Sequence, residues 1–341
     1  MSRFPRYLSL CAALVLLPIF ASAQKTPPRM PPVAPVPSAP PAPSFGPQEK
    51  AIVVGPDVTL SLCVLRGRVS VNSWKRSEVR VFTAEGTSFE FKTLQKDASG
   101  TPVWISVIAT PRPPGKTAVP PSDCLNEDDI EIDVPTGTSL TVKGREVVLS
   151  VDSVRNVTVG TFAGDTALRN IADGISAGVN RGNLSIEDSA GAISVESTTG
   201  NILAFGVKPM KPGDTFRART LSGNIVVVDS SHRQIDAGTI SGAVSYTGAI
   251  LNGGTYRFST QSGNVRLTLP KDTSATIAAT YGFGSFSRGF PIEIATENIE
   301  EGMIKSVVGT IGKPSDSTIK ITTTSGNIEI RSSEERSHPK H

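Results

Sequence analysis

Histidine and aromatic residues are scarce in this chain, and their scarcity argues against several classes of enzyme. Three of 341 residues are histidine, and aromatic residues make up 6%. His338 and His341 lie in a polar tail, which leaves His232 for general acid or base work. His232 stands in residues 229–233, a segment typical of a turn. We therefore expect neither a Ser-His-Asp triad nor a histidine-based metal site, and we predict no catalytic, metal-binding or cofactor-binding residues.

The sequence also lacks the apolar period of 3.6 residues that marks amphipathic helices, and its net charge is small. The formal charge of +3 falls to +1 when the two arginines of residues 1–23 are removed. A nucleic-acid-binding protein is expected to carry a clear basic stripe. We therefore predict a β protein with no nucleic-acid partner. One short basic run is interpreted as a solvated strand face: Arg66, Arg68, Lys75, Arg76 and Arg80.

Cysteine is rare as well. Cys11 lies in the N-terminal leader, so Cys63 and Cys124 remain in the mature chain. In an oxidising compartment an even count indicates a disulfide, and two buried free thiols are the alternative. Because both residues flank the same insertion-like region, we predict a disulfide between Cys63 and Cys124.

Residues 1–23 are typical of a secretory signal peptide. Arg3 and Arg6 precede an apolar run of 13 residues at 8–20, and small residues follow at 21–23. A bilayer span needs about 20 residues, so cleavage is favoured and an uncleaved membrane anchor is the alternative. We predict an exported protein, located in the periplasm, on the cell surface or outside the cell.

Proline dominates the segment that follows the leader. Ten of the 25 residues at 24–48 are proline, a composition that favours extended polyproline II and cannot pack a core. This predicted linker, 24–50, is either a stalk through an envelope layer or a spacer without a defined length. We assign residues 51–331 to one large β domain and residues 332–341 to a polar tail.

A strand-glycine-strand segment recurs along this β domain, and TLSGNIVV at 220–227 is its clearest copy. With the glycine as position zero, apolar residues stand at plus two and plus four, and at minus seven and minus five in most copies. Serine or threonine often stands at minus three. Such alternation is that of half-buried strands. The copies are centred on Gly67, Gly182, Gly191, Gly200, Gly223, Gly242, Gly263 and Gly326.

From minus three to plus two is an odd number of residues, so an unbroken strand would turn its apolar side to the opposite face at each glycine. The Ser-Gly-Asn segment must therefore bend the chain. Glycine enters positive φ without a steric cost, and asparagine tolerates it next best. A row of hairpin turns is the alternative. Glycines 223, 242 and 263 are spaced by 19 and 21 residues, which favours stacked coils. We predict an all-β single-stranded β-solenoid over a meandering β-sandwich. Gly144 and Gly164 depart from the pattern.

Several motifs make the chain similar to a known family by their order and spacing. They are GRVSVNSW at 67–74 with EVRV at 78–81, IEIDVPTG at 130–137, FSTQSGNVRLTLP at 258–270 and TTTSGNI at 322–328. With them, the region from Leu60 to Arg331 resembles a bacterial putative-adhesin family of β-strand-repeat domains of unknown function. The resemblance implies an exported, β-solenoid-like protein with no established catalytic residues. Prolines between Lys92 and Asn126 depart from the family pattern and predict an added loop.

Two further segments admit a functional and a structural interpretation. Asp129, Glu131 and Asp133 alternate with aliphatic residues and share an outward face, which could hold Ca²⁺ but is more typical of a solvated strand. The aromatic segment 281–290 could stack on sugar rings or cover the end of the solenoid. We favour the structural interpretation for both segments.

These features favour an exported, non-enzymatic β-repeat protein of the cell envelope whose repetitive surface meets a surface glycan or an envelope protein. The alternatives are a polysaccharide-active β-helix enzyme and an accessory of an envelope sensing system. Paired carboxylates in one groove would favour the enzyme. A flat Ser/Thr-lined or aromatic face would favour binding, and a self-complementary edge would favour scaffolding.

Overall fold

The computed structural model describes residues 47–84, 88–110, 123–299 and 304–333. The predicted signal peptide, residues 24–46 of the predicted linker and residues 334–341 of the predicted tail lie outside this part. The first strand begins at Gln48, so the ordered β structure starts three residues before the predicted boundary at residue 51.

Every regular element in the described residues is a β-strand, and no helix there is long and apolar enough to cross a membrane. The first seven strands are β1 (Gln48–Val53), β2 (Thr59–Trp74), β3 (Glu78–Thr83), β4 (Phe89–Lys96), β5 (Pro102–Ala109), β6 (Leu125–Pro135) and β7 (Ser139–Asp152).

The next twelve strands alternate between long and short. They are β8 (Asn156–Ala163), β9 (Thr166–Arg169), β10 (Ile175–Arg181), β11 (Leu184–Glu187), β12 (Ile193–Thr199), β13 (Ile202–Phe205), β14 (Thr215–Ser222), β15 (Ile225–Val228), β16 (Gln234–Ser241), β17 (Val244–Thr247), β18 (Thr255–Ser262) and β19 (Val265–Leu269).

The last six strands are β20 (Ala275–Phe283), β21 (Phe286–Gly289), β22 (Ile292–Asn298), β23 (Lys305–Ile311), β24 (Thr318–Ser325) and β25 (Ile328–Ser332). They contain two further long-short pairs, β20 with β21 and β24 with β25, and two strands, β22 and β23, that pair in antiparallel fashion.

Long strands stack on long strands and short strands on short strands, always in parallel. In one step of the stack, Phe216 of β14 lies opposite Ile235 of β16, while Ile225 of β15 lies opposite Val244 of β17. Each long-short pair is one coil, and a corner at the glycine separates its two strands. The predicted β-solenoid is therefore confirmed, and hairpin turns at these glycines are excluded.

The N-terminal end of the solenoid is built from bent strands and an antiparallel extension. Strand β2 pairs with β7 on one side, and on the other with β5 along its first half and β6 along its second half. The prolines that predict an added loop between Lys92 and Asn126 stand at 111–121, whereas residues 102–109 of that region form β5, in which Ile105 and Val107 are buried. Residues 111–122 lie outside the described part.

The C-terminal coil does not stack in sequence order. Strand β24 pairs with β18 on one side and β20 on the other, and β25 likewise lies between β19 and β21. The last coil of the chain is therefore inserted between two coils that precede it in sequence. Strand β23 then pairs with β20 in antiparallel fashion, and β22 pairs with β23 in the same way.

The core lies inside the coils and follows the predicted parity. Ile225 and Val227 are fully buried, whereas Val226 between them is half-buried. The aliphatic and aromatic residues at minus seven and minus five are also buried, as Tyr256 and Phe258 illustrate. Burial of these alternating side chains is the main driving force that selects this register.

The corner glycines form one continuous column along the solenoid. Gly242 has a φ of 145°, and a Cβ there would lie 2.1 Å from the carbonyl oxygen of Gly223 in the preceding coil. Only glycine permits both the backbone conformation and this close approach. Consecutive members of the column are Gly164, Gly182, Gly200, Gly223, Gly242, Gly263, Gly326 and Gly284.

The structure overturns one glycine assignment from the sequence and resolves another that the pattern left open. Gly191 lies near Gly174 at the other end of its coil, just before β12, and is not a corner of the repeat. Gly164 does occupy the corner column, although Thr166 at plus two is polar. Thr166 is nonetheless buried, because the threonine methyl group can take the place of an aliphatic side chain in the core.

Candidate functional site

A threonine ladder fixes the inner side of the corner column. In four successive coils of the stack, the threonine hydroxyl at minus three donates a hydrogen bond to the carbonyl of the corner glycine in the preceding coil. The side chains themselves are buried, so these bonds satisfy hydroxyl groups that water cannot reach. The pairs are Thr220 with Gly200 (3.1 Å), Thr239 with Gly223 (3.0 Å), Thr260 with Gly242 (2.9 Å) and Thr323 with Gly263 (3.0 Å).

An asparagine ladder runs along the outer side of the same corner. The side-chain oxygen of Asn183 accepts from the backbone NH of Asn201 (3.0 Å), and that of Asn201 accepts from the backbone NH of Asn224 (2.9 Å). Asp165 takes the asparagine position at the first coil. The ladder is interrupted at Ala243, whose side chain cannot accept a bond from the next coil.

Exposed serines complete the corner ridge, which we define as the Ser-Gly-Asn corners of successive coils. The backbone ladder continues through the corner, because the NH of Gly223 donates to the carbonyl of Ser241 at 2.9 Å. The serine side chains remain exposed and repeat once per strand, about 4.8 Å apart. These serines are Ser222, Ser241, Ser262 and Ser325.

The outer face of the long strands carries two parallel rows of polar side chains. Four consecutive strands, β14, β16, β18 and β24, supply one residue each to each row. The polar row consists of the exposed residues Thr215, Gln234, Thr255 and Thr318. The charged row beside it consists of Arg217, Asp236, Arg257 and Lys320, of which all but Asp236 are exposed.

Asp236 is engaged by Arg219, which projects from the same face of β14. The two side chains form an ion pair. The guanidinium lies over Gly238, where a Cβ would meet Arg219 Nη1 at 2.4 Å. The mid-strand glycine therefore makes room for the arginine to reach the carboxylate.

A shallow cleft of about 400 Å³ runs across these strands. Its lining takes side chains from both rows, including Thr215, Gln234, Arg217, Asp236 and Arg257. The cleft is open to solvent, and its lining residues come from three neighbouring strands, β14, β16 and β18. Such a surface can accept an extended polar ligand along the solenoid axis.

Charges on the short-strand face are arranged differently, because they pair between neighbouring coils. Arg266 of β19 contacts Glu329 of β25 at 2.8 Å, and Arg169 contacts Glu187 at 3.0 Å. The hydrogen bond from Arg266 holds the pKa of the Glu329 carboxyl below its usual range. These charges are neutralised by ion pairs between neighbouring coils, so this face offers less unpaired charge to a ligand.

His232 is buried in the solenoid. Its Nε2 lies 2.9 Å from the carbonyl oxygen of Gly191, and its Nδ1 lies 3.1 Å from the hydroxyl of Ser230. Burial lowers the pKa of His232, so the ring is neutral at pH 7, with Nε2–H donating to Gly191 and the Ser230 hydroxyl donating to Nδ1. The imidazole thus satisfies backbone and serine groups and does not face a substrate cleft.

The carboxylates on β6 point outward as predicted, and two of them pair with the basic run. Asp129 contacts Arg68 at 3.2 Å, and Asp133 forms an ion pair with Arg80. These two cross-strand ion pairs place opposite charges side by side on a solvated strand face. Across the described residues, no group of three or more His, Cys, Asp or Glu is arranged to hold a metal ion.

The aromatic segment 281–290 lies in the coil β20/β21 at the C-terminal end of the parallel stack. Tyr281 and Phe290 are buried, and the rings of Tyr281 and Phe286 stack at 6.4 Å. Phe283, in contrast, is 79% exposed. Three of the four aromatic side chains of the segment, Tyr281, Phe286 and Phe290, are therefore buried or half-buried at the end of the parallel stack, which favours the structural interpretation for them.

The structure joins Cys63 of β2 to Cys124, which directly precedes β6. Their Cα atoms are 4.5 Å apart, and the bond closes a segment with a sequence separation of 61. It lies beside the point where β2 changes partner from β5 to β6. The disulfide therefore ties β2 to the start of β6, the strand that pairs with its second half.

Sequence reasoning missed the charged row, although a signal for it exists. Arg217, Asp236, Arg257 and Lys320 all stand at minus six in their copies, between the two apolar positions that define the repeat. Arg217, Asp236 and Arg257 lie on coils that are consecutive in sequence. Only Lys320 owes its place to β24 lying next to β18, where sequence order would place β20.

Comparisons with known proteins bear on the family and not on a ligand. No curated protein matches the chain. A solved structure, described as that of a putative cell adhesion protein from Clostridium sporogenes ATCC 15579, is 13% identical, covers 84% of this chain and 100% of its own, and gives a TM-score of 0.25. The model of the family Toastrack DUF4097 matches residues 72–331. Since this match covers about three quarters of the sequence and agrees with the resemblance in the strand motifs, the chain belongs to the Toastrack DUF4097 family, whose function is unknown.

Proposed function

We propose that the chain is an exported, non-enzymatic protein of the cell envelope whose repetitive surface binds a surface glycan or an envelope protein. The observation that supports this most is the regular presentation of polar groups on successive strands. Exposed serines follow the corner ridge, and the polar row follows the long-strand face. Each group offers a weak contact, and a ligand that spans several strands engages many of them at once.

The chemistry of the described residues supports binding more than turnover. The imidazole of His232 is buried and hydrogen-bonded to its own fold. The outward carboxylates Asp129 and Asp133 are each paired with an arginine. A glycosidase instead uses two carboxyl groups about 5 to 9.5 Å apart across a scissile bond.

A glycan array and an envelope pull-down with the purified full exported chain test the binding proposal. We expect retention of at least one polymeric glycan or one envelope protein, with affinity that rises with ligand length. Absence of any retained glycan or protein would contradict the proposal.

A parallel assay tests the absence of enzymatic activity. The chain is incubated with uronate and neutral polysaccharides, and new reducing ends or unsaturated products are measured. We expect none above the blank. Product formation that disappears when a particular Asp or Glu is replaced would establish the enzyme instead.

Export has its own test. We expect the N-terminus of the mature protein to be Gln24 and the thiols of Cys63 and Cys124 to resist titration until a reductant is added. A chain that keeps residues 1–23 would point to the membrane-anchor alternative. Two titratable thiols in the unreduced protein, denatured to expose them, would argue against an oxidising compartment.

A further inference from the structure

The charged row of the long-strand face contains a like-charge pair that the fold does not require. Arg257 of β18 lies directly opposite Lys320 of β24 in the parallel register. Neighbouring strands are about 4.8 Å apart, and like charges opposite each other destabilise a sheet. Both side chains are exposed, and within the described residues neither has a carboxylate within 4.0 Å.

The acid in the row does not relieve this repulsion. Asp236 lies between Arg217 and Arg257 in register, but its carboxylate is paired with Arg219. Gly238 allows that pairing by leaving space for the guanidinium. Arg217, Arg257 and Lys320, which we call the cationic row, therefore keep their charge available to solvent.

The surroundings of the cationic row indicate the chemistry of a ligand. The polar row, Thr215, Gln234, Thr255 and Thr318, runs parallel to it and offers hydroxyl and amide groups. Together the rows present positive charge beside neutral hydrogen-bonding groups along four strands. A polymer that carries both anionic groups and free hydroxyls matches this pattern. Among described residues, the face of β14, β16, β18 and β24 presents no outward aromatic ring on which a nucleobase could stack.

We infer that the long-strand face binds an anionic polysaccharide along the solenoid axis, with Arg217, Arg257 and Lys320 contacting its acidic groups and the polar row contacting its hydroxyls. Arg217 and Arg257 are two strands apart, about 9 to 10 Å, so one chain of sugars can reach both. This inference rests on the proposed binding function and specifies its ligand class and site.

The test measures binding of the full exported chain to polygalacturonate fragments of defined length by titration calorimetry. We expect binding that weakens with added salt, and no binding to amylose of the same length. The variant Arg217→Gln/Arg257→Gln is expected to bind polygalacturonate about tenfold or more weakly, because two charge-assisted contacts are removed.

A matched variant, Arg66→Gln/Arg288→Gln, removes the same charge from exposed positions elsewhere and is expected to change affinity less than about twofold. Equal weakening in both double variants would overturn the site, because a diffuse charge effect would then explain binding. Tighter binding of single-stranded DNA or of phosphatidylglycerol vesicles through the same arginines would overturn the ligand class.

The two proposals fail in different ways. If the chain retains a neutral glycan or an envelope protein and the arginine variant retains it equally well, the binding function stands and the cationic site is wrong. If neither polygalacturonate nor any array or envelope component is retained, both are wrong.

Discussion

At the scale of single residues, the threonine ladder is a place where one hydroxyl group has a measurable role. The Thr260 hydroxyl donates to the Gly242 carbonyl at 2.9 Å in a buried position. Replacing Thr260 with valine keeps the shape but removes the donor. We expect Thr260→Val to lower the free energy of unfolding by about 1 kcal/mol, measured by urea denaturation.

The chain offers a matched control for this change. Thr161 occupies the same position in its coil, yet its buried hydroxyl has no hydrogen-bond partner among the described residues. Thr161→Val removes a hydroxyl that only costs desolvation, so the unfolding free energy should stay the same or rise. Equal losses in both variants would show that the Thr260 hydrogen bond is not the cause.

His232 makes stability depend on pH in a defined direction. Burial lowers its pKa in the folded state, while the unfolded chain takes up a proton near pH 6.5. Below that pH the unfolded state binds more protons, so stability falls as pH falls towards the folded pKa. The slope attributable to this group is at most about 1.4 kcal/mol per pH unit.

Urea unfolding between pH 7.5 and 5.5 measures this dependence. A chain with His338→Gln and His341→Gln retains His232 as its sole imidazole and should keep the slope. Adding His232→Gln should remove it. A slope that persists in the triple variant would assign the effect to carboxyl groups.

At the scale of the element, the corner column imposes its own residue choice on each coil. An alanine at 242 must adopt a φ of 145° and place its Cβ 2.1 Å from the Gly223 oxygen. We expect Gly242→Ala to cost about 2 kcal/mol or more in unfolding free energy, since positive φ alone costs about 1 to 2 kcal/mol. Thermal and urea unfolding measure the loss.

Gly178 provides the contrasting case. It lies in the middle of β10 on the outer face, and a Cβ there would meet nothing within 4 Å. Gly178→Ala should therefore raise the unfolding free energy by about 0.5 kcal/mol, because the unfolded chain loses conformational freedom. Similar effects of the two substitutions would contradict the steric account of the column.

The asparagine ladder can be completed by one substitution. Asn224 bonds the backbone NH of Ala243, but Ala243 offers no oxygen to Asn264 in the next coil. We expect Ala243→Asn to raise the unfolding free energy by about 0.5 to 1 kcal/mol through the restored bond. Asn224→Ala should lower it by a similar amount. No gain from Ala243→Asn would mean that solvent already satisfies this corner.

The sequence repeat made the coils predictable. The errors in assigning corner glycines arose where a copy departs from the repeat or overlaps another copy. The parity of Ile225 and Val227 required a buried face, and the change of parity at Gly223 required a corner. Gly191 was misassigned because Ile193 and Val195 serve as the apolar pair of a long strand and also fit plus two and plus four. Gly164 departs from the pattern because Thr166, a polar residue type, occupies the buried position at plus two. Arg217, Asp236 and Arg257 stand at minus six in consecutive copies, so their row was predictable from the sequence. The place of Lys320 beside Arg257 was not, because β24 lies next to β18 in space but not in sequence.

At the scale of the whole molecule, the order of the coils departs from the order of the sequence. In a simple solenoid each coil contacts its sequence neighbours, so removing the last coil only shortens the stack. Here the coil β24/β25 carries buried contacts to both β18/β19 and β20/β21. The coil β24/β25 therefore connects β20 and β21 to the rest of the stack. These two strands depend on a part of the chain that is synthesised after them.

A truncation tests this dependence. A chain that ends at Lys313 lacks β24 and β25, and with them the buried residues Ile319, Ile321, Ile328 and Ile330. We expect amide hydrogens of β20, β21, β22 and β23 to exchange as in an unfolded chain, while the coils from β8 to β15 remain protected. Deleting residues 47–53 removes only the edge strand β1 at the opposite end and should leave the protection of β20 to β23 unchanged. Full protection of these four strands in the shortened chain would mean that β20 can pair directly with β18 and that the inserted coil is dispensable.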